Sequence, residues 1–365
     1  MKRKLPPSAA MPTTQSPPAE SPPPAALPPV SPLPTVSPLP PIPVFLPLSA
    51  LLPILVLLAL ATAPFAGFGS AFMLTLLSRA MILGMAALSL SLLVGGAGLI
   101  SLGHAAMMGV GAYTVAALDA AGFTTSSVVF PSAILAGGLF ALMTGAISLR
   151  TSGVHFIMIT LAFGQMAFFT ASSLSVLGGD DGYTLFARTA WFGTRLLQNR
   201  VVFYFLCLGL LVAVWLLCSV ILDSRFGRVL RAAKQNQLRV EALGFSPYPY
   251  RLIAYVLAGA ICGLSGALLA NASEFVSPAT LSWGRSGELL FMVILGGAGH
   301  LYGAIIGALA IVLLEEWLSH IFDYWRLIFG PLLVLCVLFL RDGLAGLPTM
   351  KGPSRPIGTK RRANA

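Results

Sequence analysis

"SRFGRVLRAAKQNQLRVEALGFSPYPY", residues 224–250, is the stretch on which the fold turns. It gathers Arg225, Arg228, Arg231, Lys234, Arg239 and Glu241 in a chain that is 57% hydrophobic and only 9% charged. Apolar runs border it at 201–222 and 252–272. Each is close to the ~20 helical residues needed to cross a hydrocarbon layer roughly 30 Å thick. A charged island between two such runs is a loop at a membrane surface.

The rest of the chain repeats this pattern. Further apolar runs lie at 44–66, 80–100, 102–120, 127–149, 154–174, 287–298, 301–318 and 326–341. Globular chains are usually about 25% charged, and a soluble fold of this composition, with a mean hydropathy of +0.88, would expose far too much apolar surface. Runs of this length mean helices, because a helix satisfies its own backbone hydrogen bonds in lipid. The alternating short segments of a membrane barrel are absent. The fold class expected is an all-α polytopic membrane protein with about 8–10 transmembrane helices.

The pair 287–298 and 301–318 is separated by "GGAGHLYG" and reads either as a re-entrant hairpin or as two short crossings. The count is therefore eight full spans plus that pair, or ten spans. Lys2, Arg3 and Lys4 precede the first run; Lys351, Arg355, Lys360, Arg361 and Arg362 follow the last. The positive-inside rule puts both termini, Arg150 and the 224–250 island on the cytoplasmic side. Arg79 is an exception, read as lying near the outer end of its span and reaching to the interface.

Three regions are expected along the chain: a Pro-rich tail at 1–43, a membrane domain at 44–341, and a basic tail at 342–365. Repeated prolines remove backbone donors and block helix, so the first tail reads as disordered or polyproline II. The first apolar run begins too late and runs too long for a signal peptide. The net charge of +10 sits in tails and loops, as membrane orientation requires, and does not indicate nucleic acid. Cys207, Cys218, Cys262 and Cys336 fall inside apolar runs and read as small buried hydrophobes. The four histidines have no metal-ligand spacing.

Within the island, Phe226, Val229, Leu230 and Ala233 recur at i, i+3, i+4, i+7, one face of a helix. Asp223 or Ser224 can cap it. Gly244 is placed to stop a second short helix, with Pro247 and Pro249 against its continuation. A helix–turn–helix across the cytoplasmic face follows. It suits a groove on another protein, or contact with anionic lipid. On the opposite side, 175–200 with "LGGDDGYT" and 273–286 read as external segments, open either to a partner or to solvent.

Glycines crowd three places. Gly259-xxx-Gly263 and Gly299-xxx-Gly303-xxx-Gly307 have the small-residue spacing that lets helices approach closely in lipid. Gly95, Gly98 and Gly103 in "GGAGLISLGH", and Gly296 and Gly297 in "GGAGHLYG", either pack helices or break them beside a pathway. Ser101, His104, Tyr113, Thr114, Thr160 and Gln165 are polar groups within apolar spans, candidates for lining that pathway or for packing. No GxxxxGK[ST] phosphate loop is present, and "GPSRPIGTK" at 352–360 has the wrong spacing. Glu315 and Glu316 read as solvated residues at a membrane boundary.

The order "FGR" then "EALG" in the island resembles the coupling loop of ABC importer permeases. "LLVGGAGLISLGHAAMMGVGAYTVAAL" (92–118), "HFIMITLAFGQMAFF" (155–169), "LGGDDGYT" (177–184) and "GELLFMVILGGAGHLYGAIIGALAIVLLEE" (287–316) resemble, in order, the signatures of branched-chain amino acid permeases. The resemblance covers about 78–341 and is nearer the M-type subunit than its H-type paralogue. It implies a transporter subunit, not an enzyme, in a bacterial inner membrane. It implies an H-type permease partner, two cytoplasmic ATP-binding subunits that use ATP and Mg, and a periplasmic substrate-binding protein. It also implies that Arg225, Phe226, Gly227, Arg228, Arg231, Glu241, Ala242, Leu243 and Gly244 couple to the ATPase. Two positions depart from the pattern. Relatives often carry a second alanine where Leu243 stands, and a bulky aromatic where Gly95-Gly96 stand. Two other functions fit the composition: a related importer of urea, short amides or another small polar solute, and a self-sufficient secondary transporter or channel. The latter needs a buried carboxylate or histidine relay.

Overall fold

The computed structural model describes residues 48–65, 70–186, 188–190, 195–321, 324, 327, 330–331 and 343–345. The Pro-rich tail, most of the basic tail and nearly all of the 326–341 run lie outside them. The chain order is α1 (Leu48–Thr62), α2 (Ala71–Ser91), α3 (His104–Ala120), α4 (Ser126–Ser148), α5 (Val154–Ser173), α6 (Arg200–Asp223), α7 (Arg225–Gln235), α8 (Gln237–Ala242), α9 (Pro247–Ser273), α10 (Trp283–Gly296) and α11 (Gly303–Ile321). Two short strands, β1 (Tyr183–Thr184) and β2 (Phe275–Val276), complete the described secondary structure with a few single turns.

Six of the described helices are long and apolar enough to cross a membrane: Ala71–Ala97, Ser126–Ser148, Val154–Ser173, Arg200–Asp223, Pro247–Ser273 and Gly303–Ile321. The chain is thus an all-α multi-pass membrane protein. The remaining apolar helices are shorter: α1 with 15 residues, α3 with 17 and α10 with 14. At ~1.5 Å per residue, α10 reaches only about 21 Å. Breaks at the glycine-rich segments shorten α3 and α10.

Two boundaries differ from the sequence expectation. The helix expected from residue 80 begins at Ala71, where Ser70 accepts from the Met73 amide. Arg79 therefore lies inside α2 rather than at its end, and its guanidinium is 3.9 Å from Glu315 of α11. Glu315 is thus paired, and Glu316 lies 3.4 Å from His320. The helix expected from 252 begins at Pro247, so Pro247 starts α9 instead of merely ending α8. Proline is tolerated in a first helical turn, where its missing N–H would have had no partner.

Every residue from Ala80 to Leu93 is buried. A helix apolar on all sides is buried on all sides, and α2 is the central post, enclosed by α6, α9, α10 and α11. Around it, α4, α5 and α6 turn large side chains outward, among them Leu135, Met143, Met158, Phe169 and Val220. In water such a surface would drive aggregation; in lipid it is the solvated face.

Small residues set the packing. A Cβ at Gly263 would lie 2.5 Å from the Ala133 carbonyl and 3.1 Å from Gly137 Cα. On a second side, Gly111 of α3 meets the Gly263 backbone and Gly266 meets the Met108 carbonyl. α9 therefore runs antiparallel to α4 and parallel to α3 with backbones touching, as the Gly259–Gly263 spacing predicts. α10 and α11 form an antiparallel hairpin in the same way, Gly296 against Gly303 and Met292 against Gly307. Gly299 is different: nothing stands within 4 Å of its Cβ position, so it serves the turn and not the packing.

The two segments read as external meet each other. Tyr183 pairs with Val276 and Thr184 with Phe275 in an antiparallel ribbon. Asn271 Oδ1 accepts from the amide and hydroxyl of Thr189 at 2.8 and 2.7 Å. Arg188 lies 3.0 Å from Glu274 and stacks over Phe203 at 5.1 Å. Tyr183 donates to Asp119 at 3.2 Å; burial, then the Asp119 carboxylate, holds its phenol above the ordinary pKa.

Candidate functional site

The charged island folds as two helices at an elbow. Ser224 caps α7, accepting from the Gly227 amide at 3.3 Å. Asn236 caps α8, accepting from the Arg239 amide at 3.0 Å. α8 stops at Ala242 because Gly244 adopts φ +85 and its amide donates to the Glu241 carbonyl at 2.9 Å. Two successive caps and a left-handed stop fix a bend that a single long helix would lack.

One face of α7 is anchored. Gly227, Leu230 and Ala233 are buried, and Phe226 stacks on Tyr250 with centroids 5.6 Å apart. Gly227 faces the Leu222 backbone so closely that no side chain fits. Burying a leucine such as Leu230 is worth about 2 kcal/mol. Two of the arginines bond to the chain itself. Arg231 donates to the Leu222 carbonyl at 2.8 Å and Arg228 to the Asp223 carbonyl at 3.5 Å. Both complete the C-terminus of α6, whose last carbonyls have no helical partner. Arg225 remains exposed. Glu241 accepts from Gln237 at 2.8 Å.

α8 offers the outward surface. Leu238 is 78% exposed, Leu243 71% and Phe245 46%. These apolar side chains stand beside Arg239, Glu241 and Ala242, all exposed. The sequence reading missed Arg251, which donates to Gln237 at 3.0 Å and to the Ala233 carbonyl at 3.3 Å. It fastens the elbow to α9. Its position near the start of the next helix, just after the island, was the available signal.

Inside the membrane the "GGAGLISLGH" segment breaks α2, the second of the two readings open to these glycines. Residues Leu92–Ala97 form one π-helical turn, and Gly98 follows at φ 70, a left-handed conformation that favours glycine. The chain then runs without helix to Gly103, which stands just before α3 and directly against the Thr160 carbonyl. The new helix start is tied on three sides. His104 Nε2 lies 2.7 Å from Ser89 Oγ of α2. The Ala105 amide donates to Ser286 of α10 at 3.0 Å. Cys262 of α9 points its thiol at the His104 carbonyl, 3.4 Å away. The second break, "GGAGHLYG", meets the first: a Cβ at Gly95 would lie 2.9 Å from the Ala298 carbonyl. Gly297 turns the second break at φ 105.

The six polar candidates separate into groups. Ser101, His104 and Thr160 are buried at the first break. Thr160 accepts from the Leu102 amide at 3.3 Å and so holds the unwound segment. The Ser101 hydroxyl and His104 Nδ1 have no partner among the described residues. Tyr113 and Thr114 line a cavity of about 690 Å³ between α3, α4 and α5, with Phe140, Phe163 and Met166. Gln165 is half-buried on α5 and does not line that cavity.

The profile of the family described as branched-chain amino acid transport system / permease component matches residues 72–338. The chain is 30% identical over 313 residues to the high-affinity branched-chain amino acid transport system permease protein LivM of Escherichia coli strain K12, covering 79% of this chain and 72% of that protein. It is 28% identical over the same length to the LivM protein of Salmonella typhimurium, with the same shares. A probable branched-chain amino acid transport permease protein LivH of Methanocaldococcus jannaschii is 30% identical over 143 residues, 37% of this chain and 42% of that one. No solved structure matches the chain. With the profile running from the start of α2 through α11 and across both breaks, this chain belongs to the family of branched-chain amino acid transport system permease components.

Proposed function

We propose that the chain is the M-type membrane subunit of a bacterial ABC importer for leucine, isoleucine and valine. It works in the inner membrane with both termini cytoplasmic. It pairs with an H-type permease and stands on two cytoplasmic subunits that hydrolyse ATP with Mg. A periplasmic binding protein delivers the solute to the face carrying β1 and β2. The observation that carries this reading is the α7–α8 elbow. It is capped, buried on one side and fastened to α6 and α9, and it presents Leu238, Leu243 and Phe245 outward.

An arm with two caps, a buried face and an apolar tip fits a cleft on a partner protein. Closure of the nucleotide-bound ATPases moves the arm and shifts the permease between two conformations.

The test is uptake of labelled leucine into vesicles containing the assembled transporter. Uptake should need ATP and the binding protein, and L238D with L243D should abolish it while the permease stays folded. Uptake by this chain alone under a proton or sodium gradient would establish the secondary-transporter alternative instead. Uptake of urea but not leucine would move the substrate assignment.

A further inference from the structure

The π-helical turn at the end of α2 leaves carbonyls that no helical amide reaches. Helix C-termini carry partial negative charge and attract cations. The cation here comes from the far side of the sequence. Lys234, in the last turn of α7, places Nζ 3.0 Å from the Val94 carbonyl and 3.0 Å from the Gly95 carbonyl.

Its stem lies along the break. A Cβ on Gly98 would come within 2.9 Å of Lys234 Cγ. One turn earlier on the same face, Leu230 is buried against Gly96, 3.3 Å from that glycine's Cβ position. Gly95 in turn abuts the Ala298 carbonyl of the second break. The contacts form one chain: elbow, Lys234, end of α2, turn between α10 and α11.

We infer that Lys234 is the positioning residue that carries movement of the elbow into the paired breaks. This rests on the reading of α7–α8 as the ATPase-docking arm. Lys234 is exposed and its amine holds two carbonyls at the rim of the fold, so it adds little to stability. Its value lies in joining two elements that must move together. α7 without this amine still docks, but slides past the end of α2.

The experiment uses the complete transporter in vesicles and reads solute moved per ATP hydrolysed. K234M keeps the stem and loses the amine; the ratio should fall by about tenfold, the usual size of a coupling between sites. K234R should recover much of it, since a guanidinium also reaches both carbonyls. As a check independent of folding, K234C transporter is assembled first and then treated with 2-bromoethylamine, which rebuilds an amine on the sulfur. The ratio should rise, and identically treated unsubstituted transporter should not change. A wild-type ratio in K234M, or no recovery on aminoethylation, overturns the inference. A photo-crosslinker at Leu243 separates the two levels. Capture of the ATPase subunit with a normal K234M ratio sinks only the role of Lys234. No capture sinks the docking reading and this inference with it.

Discussion

Ser89 Oγ and His104 Nε2 lie 2.7 Å apart, both side chains fully buried, and join the central post to the helix that restarts after the break. The bond spans the unwound segment, so the two helices keep their relative position without a continuous backbone ladder. S89A removes the partner and leaves a buried imidazole nitrogen unsatisfied. A loss of about 1–3 kcal/mol is expected. Thermal unfolding of the detergent-solubilised protein should show a lower midpoint for S89A, and S89T should retain most of the stability.

Backbone contact between α9 and α4 requires the absence of a side chain at Gly263. In G263A the new methyl meets the Ala133 carbonyl, and overpacking of this kind costs about 1–3 kcal/mol. Gly209 of α6 has open space around it, so G209A serves as the comparison. Heat stability should drop for G263A and hold for G209A. Equal behaviour of the two would mean that α9 does not touch α4 as described.

Asn271 holds the external segment through two acceptor contacts on Thr189. N271A should release residues around 188–190 while the membrane helices stay packed. Hydrogen exchange should rise there and stay low across α2, because local opening follows the number of local anchors.

Arg228 and Glu241 each make one weak or exposed contact within the chain. Substituting either with alanine should change stability by no more than about 0.5 kcal/mol. Transport per ATP should nevertheless fall in both, since their remaining surface faces outward from the elbow. R231A should behave otherwise: losing the 2.8 Å contact to Leu222 frays the end of α6 and lowers thermal stability as well.

Much of this was legible in the residues. Ser224 and Gly244 are local signals, and the helix–turn–helix they imply is the one observed; the Asn236 cap between the two helices was not read from the sequence. The small-residue spacing of Gly259 and Gly263 announced a close helix contact, whereas "GGAG" left packing and a break equally open until the fold showed both. The misread positions are those settled by a distant partner. Arg79 looked like an interfacial exception until Glu315, far along the chain, stood beside it. Gly299 shares the spacing of Gly303 and Gly307 but faces open space, because the hairpin turns before reaching it.

By itself the sequence determined that the chain is helical, crosses a membrane repeatedly and turns at a capped helix pair in its charged island, because hydropathy, caps and backbone sterics act within a few residues. Only the tertiary structure decided that the two breaks touch, that Lys234 ends α2 and that Ser89 holds His104. Those contacts join residues far apart in the chain, from Ser89 and His104 to Gly95 and Ala298, and no local pattern records which carbonyl a given side chain will reach once the helices are packed.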